Sequence, residues 1–131
     1  MERATEIFAA VFLLAIGLSH IAQPRAWVEF FIWLRGKGHA GVFVNGFLTL
    51  AFGSFIVAFH NVWTGLPVVL TLIGWAQVLK GLLNFVTPQV ALWGLRRVSF
   101  ERAWQFRVGG LLALALSALI WYMVWTHRQN A

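Results

Sequence analysis

The chain has 131 residues, of which 60% are hydrophobic and only 11% are charged. This balance excludes a soluble globular domain, in which about a quarter of the residues are charged, and it is typical of an integral membrane protein. The formal charge of +6 is explained by basic residues that flank apolar segments, so we expect membrane lipids rather than nucleic acid as partners. Cysteine is absent, which excludes disulfides and thiolate metal sites.

Four apolar segments are long enough to cross a bilayer, whose core of about 30 Å needs roughly 20 helical residues. We expect spanning helices over residues 4–22, 40–59, 66–86 and 102–125. The first segment is interpreted as a helix rather than a signal peptide, because its start is not net basic and no A-x-A site follows it. The segments 24–35 and 89–97 are too short to span and read as amphipathic connectors at the membrane interface.

Basic residues predict the orientation of these helices. Seven of the ten lysines and arginines lie in the connectors after the first and third spanning helices or in the first turns of the helix that follows: Arg25, Arg35, Lys37, Arg96, Arg97, Arg102 and Arg107. The turn between the second and third helices has none. The positive-inside rule therefore places both connectors in the cytoplasm and both termini outside.

The two halves of the chain align without a gap. The pattern G-L-x5-P occurs at residues 17–24 and again at 81–88, and the segment 44–51 aligns in the same register with 108–115. Each half has two spanning segments, so both halves would insert with the same orientation. The sequence thus predicts an all-α membrane fold of two parallel two-helix repeats. The predicted units are residues 1–64 and 65–131.

Small residues form a stripe on the last helix. Gly109, Ala113 and Ser117 are spaced by four, which lets helix backbones approach closely in a membrane. We expect this face to point into the bundle or to form a subunit contact; the alternative is that small residues are simply common in membrane helices. A homo-oligomer is expected, because four short helices bury little surface against one another.

Lys80 is the most informative candidate for function. With Gln77 and Asn84 it forms a polar stripe on one face of the third helix. A charge within the bilayer costs a few kcal/mol, so such residues usually face a cavity or a partner. Three interpretations stay open: a Lys80 side chain that snorkels to the headgroups, an inward-opening pocket for an anion or lipid phosphate, and a translocation path.

Other polar residues extend this candidate site. His20 ends the first helix where Asn84 ends the third, and Asn45 lies near the start of the second helix. Basic side chains that would meet lipid headgroups follow in the second connector and after it: Arg96, Arg97 and Arg107.

Enzymatic and cofactor chemistry are not indicated. The sequence offers no nucleophile with a nearby base, no paired carboxylates and no phosphate-binding glycine loop. His60 and His127 fall at helix ends outside the membrane, and neither has a carboxylate near it in the sequence that would orient it for a metal or haem. We therefore expect a non-enzymatic protein without a metal or cofactor.

Two family resemblances bear on function. The segments GWAQVLKGLLNFVTP and RVGGLLALALSALIWY resemble the small two-helix YjeT-like inner-membrane proteins of bacteria, although Lys80 stands where that family tends to have an acid. The segment AIGLSHIAQPRAWVEFF is similar to the first helix of the DoxX-like four-helix family, with His20 at the position of a lysine and Asn45 nearest to the position of the usual acid. The first resemblance implies a bacterial inner-membrane protein, and the second implies an accessory subunit of a quinone- or haem-linked oxidoreductase.

Together these features predict a multi-pass protein of a bacterial inner membrane with periplasmic termini. Its expected role is to bind lipid or a small anionic solute through the cytoplasm-facing polar stripe. The alternatives are an accessory subunit of a membrane oxidoreductase, with that enzyme as partner, and a small channel or transporter.

Overall fold

The computed structural model describes residues 1–130, so residue 131 of the second predicted unit lies outside it. The described residues form six α-helices and one 3-10 turn, and contain no strand. In chain order these are α1 (Glu2–Ala22), α2 (Pro24–Gly36), α3 (His39–Phe59), α4 (Val68–Val86), α5 (Pro88–Leu95), the 3-10 turn (Phe100–Arg102) and α6 (Trp104–Gln129). The prediction of four helices long and apolar enough to cross a membrane is confirmed for α1, α3, α4 and α6, the last together with the turn before it.

Two prolines separate long helices from short connectors. The residue before a proline is forced away from helical geometry, and Gln23 (φ −130°, ψ 52°) and Thr87 (φ −129°, ψ 64°) take nearly the same conformation. Pro24 and Pro88 then begin α2 and α5, at a position where a helix does not need the missing N–H. The chain thus changes direction in the same way at both places.

The long helices are arranged as two antiparallel pairs. α1 packs along α6 and α3 packs along α4, whereas α1 and α3 contact each other only slightly. The connectors α2 and α5 lie at the end of the bundle that we call the connector end. Both chain termini and the turn between α3 and α4 lie at the opposite end, the terminal end.

Glycines allow close backbone contact within each pair. A Cβ added to Gly110 of α6 would lie 2.7 Å from the carbonyl oxygen of Gly17 on α1. In the α3–α4 pair, a Cβ added to Gly46 would lie 2.8 Å from the Cβ of Asn84 and 3.5 Å from the carbonyl oxygen of Gly81. Side chains larger than hydrogen would force the helices apart at both crossings.

The predicted stripe on the last helix is used only in part. Ser117 is buried and donates a 2.7 Å hydrogen bond to the carbonyl oxygen of Ala10 on α1. Ala113 is half-buried, and Gly109 is exposed, with no atom within 4 Å of an added Cβ. The expectation that Gly109 packs inside the bundle is therefore wrong for a single chain, because Gly110 is the residue that faces α1. A subunit contact at Gly109 stays a prediction.

Candidate functional site

A cavity of about 320 Å³, lined mostly by apolar residues with three polar side chains, lies beside α5 at the connector end. α3 contributes Asn45 to its wall, and α4 contributes Lys80 and Asn84, which are one helical turn apart. The rings of Phe31 and Phe106 complete much of the remaining wall. The structure therefore brings three of the predicted binding residues together.

Asn84, which lines this cavity, has an unsatisfied hydrogen-bond donor. Its side chain is 4% exposed, and within residues 1–130 no partner accepts a hydrogen bond from Nδ2. Leaving a buried polar group unpaired costs about 1–3 kcal/mol. Close packing against Gly46 holds the side chain at the helix crossing. A bound molecule with an acceptor atom would satisfy the amide.

Lys80, which is exposed, adds positive charge to the lining of the same cavity. No carboxylate of the described chain lies within 4 Å of its ammonium group. Lysine offers three donors and no acceptor, while the amide of Asn84 adds two more donors. The cavity is thus chemically suited to an anion or another strong acceptor.

A second cavity of about 390 Å³ adjoins the first and shares Gly94, Val98 and Phe106 with it. His20, Arg97 and Arg102 line this second cavity. Both cavities therefore carry basic side chains, and the 94–106 segment forms a wall common to the two.

His20 is held in a defined orientation. Its Nδ1 lies 2.8 Å from the carbonyl oxygen of Ile16, which can only accept a hydrogen bond, so Nδ1 carries a hydrogen. The imidazole stacks on Trp27 of α2 with a centroid separation of 4.2 Å, and the Trp27 indole donates to Ser19 Oγ at 2.9 Å. In the neutral ring, Nε2 is then the nitrogen with a lone pair.

Arg35 fixes the wall shared by the two cavities. Its Nη1 donates to the carbonyl oxygens of Leu95 (3.4 Å), Arg96 (3.4 Å) and Val98 (3.1 Å). These carbonyls belong to the end of α5 and the residues after it, where a cation is favourable. No local pattern predicted this contact, because it joins residues 60 to 63 positions apart along the chain.

Three of the predicted residues, Gln77, Arg96 and Arg107, line neither cavity. Gln77 lies at the α3–α4 crossing, where its Cβ would be 2.9 Å from a Cβ added to Gly53. Arg96 and Arg107 are exposed. The Arg97 guanidinium lies 3.8 Å from the centroid of the Trp93 ring, in a cation–π contact.

A buried polar cluster at the terminal end was missed by the sequence analysis. His60 is fully buried and Glu6 is 4% exposed, with His60 Nε2 3.2 Å from Glu6 Oε1. The two residues are 54 positions apart, so no local pattern pointed to the pair. It connects α1 to the end of α3, two helices that otherwise contact each other slightly.

Thr71 of α4 completes this cluster. Its hydroxyl donates to the carbonyl oxygen of Val62 at 2.7 Å and lies 3.3 Å from His60 Nδ1. Since the single hydroxyl hydrogen is used on the carbonyl, Nδ1 carries its own hydrogen and donates to Thr71.

Comparison with known proteins gives no match to any family model, curated protein or solved structure. The YjeT-like and DoxX-like resemblances therefore stay predictions. Within residues 1–130, no group of three histidine, cysteine, aspartate or glutamate side chains is placed to hold a metal ion. The two connector-end cavities form the candidate functional site.

Proposed function

We propose that this chain is a non-enzymatic, multi-pass protein of a bacterial inner membrane that binds an anionic group at its connector end. The bound group is a lipid phosphate or a small anionic solute. The observation that carries the proposal is the buried Nδ2 of Asn84, which has no acceptor within residues 1–130 and belongs to a side chain that lines a cavity together with Lys80. An anion would accept hydrogen bonds from both side chains.

Membrane insertion is part of this proposal. Four helices have the length and apolar composition to span a bilayer, and large side chains such as Phe47 and Leu111 are 70% and 60% exposed. Exposed apolar surface on this scale needs a covering, which lipid would provide. The concentration of arginines at the connector end supports a cytoplasmic location for that end and a periplasmic location for the termini.

Cysteine labelling tests the proposed orientation, since the natural chain has no cysteine. Trp63 at the terminal end and Trp93 at the connector end form a matched pair, being 57% and 56% exposed. A membrane-impermeant maleimide applied to spheroplasts should label Trp63→Cys at once and Trp93→Cys only after lysis. Labelling of Trp93→Cys in intact spheroplasts would reverse the orientation.

We also propose that the chain consists of two parallel repeats. A shift of 64 positions relates Gly17 of α1 to Gly81 of α4, and Gly46 of α3 to Gly110 of α6. The contact between Gly17 and Gly110 therefore has an equivalent in the contact between Gly81 and Gly46. The side chains packed on these two glycines are also related by the shift of 64 positions. His20 packs against Gly110, and Asn84 packs against Gly46. The similar dihedral angles before both prolines add support.

Ligand-induced thermal stabilisation tests the binding proposal. The purified protein in neutral detergent is heated with inorganic phosphate or with short-chain phosphatidylglycerol, which distinguishes a solute site from a lipid site. A ligand at one hundred times its dissociation constant stabilises the folded state by about 2.7 kcal/mol. Lys80→Met should abolish this gain, whereas Lys37→Met, which removes an exposed charge at the same end, should retain it.

Asn84→Leu is a second test, in which the stability of the ligand-free protein and the effect of the ligand should change in opposite directions. Removing an unpaired buried amide should raise the stability of the ligand-free protein by about 1–3 kcal/mol, while the gain from added ligand disappears. An undiminished ligand effect in both Lys80→Met and Asn84→Leu would refute the site and favour a Lys80 side chain that only snorkels. Haem absorbance or a co-purifying quinone oxidoreductase would favour the DoxX-like alternative.

A further inference from the structure

A third cavity, of about 800 Å³, lies at the terminal end between α1 and α6. The residues from each helix are spaced by three or four positions, so they share one helix face. The cavity is lined by Arg3, Ile7, Trp121, Val124, Trp125 and Arg128, together with Gln129. We call it the arginine–tryptophan recess.

The recess has positive charge that the described chain does not neutralise. Arg3 and Arg128 are both exposed, and no carboxylate of residues 1–130 lies within 4 Å of either guanidinium. Glu6 is one turn from Arg3 on α1, but its carboxyl group is buried against His60. The remaining nearby acid, Glu2, is exposed.

The uncharged lining is suited to a molecule with an apolar part. Trp121 and Trp125 are 40% and 65% exposed, and tryptophan is enriched at the depth of lipid headgroups in membrane proteins. Ile7 and Val124 add apolar surface next to the two indole rings. Arginine contributes planar, forked donors that match phosphate oxygens.

We propose that the arginine–tryptophan recess binds the phosphate of a phospholipid headgroup in the leaflet at the terminal end. Arg3 and Arg128 would contact the phosphate, and the tryptophans and the apolar wall would contact the glycerol and the upper acyl chains. A free phosphate ion offers the same oxygens without the apolar part. This site goes beyond the proposed function, because it lies at the other end of the bundle and uses different residues; it shares with that proposal only the placement in a membrane.

Lipid retention measured by native mass spectrometry tests this inference. The intact chain is released from nanodiscs containing phosphatidylcholine and phosphatidylglycerol, and bound phosphatidylglycerol is counted. The variant Arg3→Gln/Arg128→Gln should retain it about tenfold less, because loss of one charge-assisted contact already exceeds a tenfold factor. The control Arg25→Gln/Lys37→Gln removes the same charge from exposed positions at the connector end and should change retention less than twofold.

A second experiment distinguishes a phospholipid phosphate from a free phosphate ion. In neutral detergent without phospholipid, inorganic phosphate should stabilise neither the native chain nor the arginine double variant through this recess, since the apolar contacts are missing. Phosphate stabilisation that is lost in the double variant but kept in Lys80→Met would assign the recess to a free anion and overturn the lipid assignment. Equal lipid retention by the double variant and its control would overturn the site altogether, whatever Lys80→Met shows.

Discussion

His60 illustrates how one side chain can join helices that otherwise contact each other little. It ends α3, and its two ring nitrogens face Glu6 of α1 and Thr71 of α4. The pair of His60 and Glu6 is almost completely buried. Removing one partner of a buried pair leaves the other without compensation, which is more costly than removing both.

We therefore predict that His60→Leu and Glu6→Leu each lower the free energy of unfolding by about 3–5 kcal/mol. The double variant should lose less than the sum, because neither buried group is then left unpaired. Unfolding in mixed detergent micelles followed by circular dichroism measures these changes. His127→Leu, at an exposed position on α6, is the control and should have little effect. Strict additivity of the two single effects would contradict the pairing.

Whether a contact between two residues could be predicted depended on how far apart the two residues are along the sequence. Lys80 and Asn84 are close in sequence, so their shared helix face could be predicted before the cavity was seen. Glu6 and His60 are paired across 54 positions and Arg35 with the end of α5 across about 60. Such pairs depend on how helices are placed in three dimensions, which one sequence does not define.

At the level of helices, proline and apolar length were reliable signals. The prolines at 24 and 88 mark the ends of α1 and α4, as expected from the restricted backbone before them. The choice between Gly109 and Gly110 was not predictable, because adjacent residues on a helix differ by about 100° in direction and both belong to a small-residue segment. Only the position of α1 decides which glycine is enclosed.

The two adjacent glycines allow a matched test of the α1–α6 crossing. Gly110→Ala should lower stability by about 1–3 kcal/mol, since its Cβ would overlap backbone that cannot move independently. Gly109→Ala meets no atom within 4 Å and should be neutral or raise stability by up to about 1 kcal/mol through better helix propensity. Thermal unfolding of both variants in detergent measures the difference. A larger loss for Gly109→Ala would refute the crossing, and a reduced subunit number in native mass spectrometry would assign Gly109 to an oligomer contact.

For the whole molecule, the pairing of helices matters more than their order. α1 packs on α6 and α3 packs on α4, so each extensive contact joins the first half of the chain to the second. Within the first half, α1 and α3 contact each other slightly. If the chain arose by duplication, as we propose, the two units now depend on each other for most of their buried surface, and neither is expected to keep its structure alone.

This dependence predicts that residues 1–64 and 65–131, expressed together as separate fragments, associate in the membrane. An affinity tag on the first fragment should capture the second, because the α1–α6 and α3–α4 contacts need no covalent link between α3 and α4. Gly110→Leu in the second fragment should reduce capture by tenfold or more, as a clash of a few kcal/mol would. Gly109→Leu, with the same added volume on an open face, should leave capture unchanged. Equal capture of both variants would mean that the fragments associate through surfaces other than the observed helix pairs, and the paired arrangement would then have to be abandoned for the membrane-embedded protein.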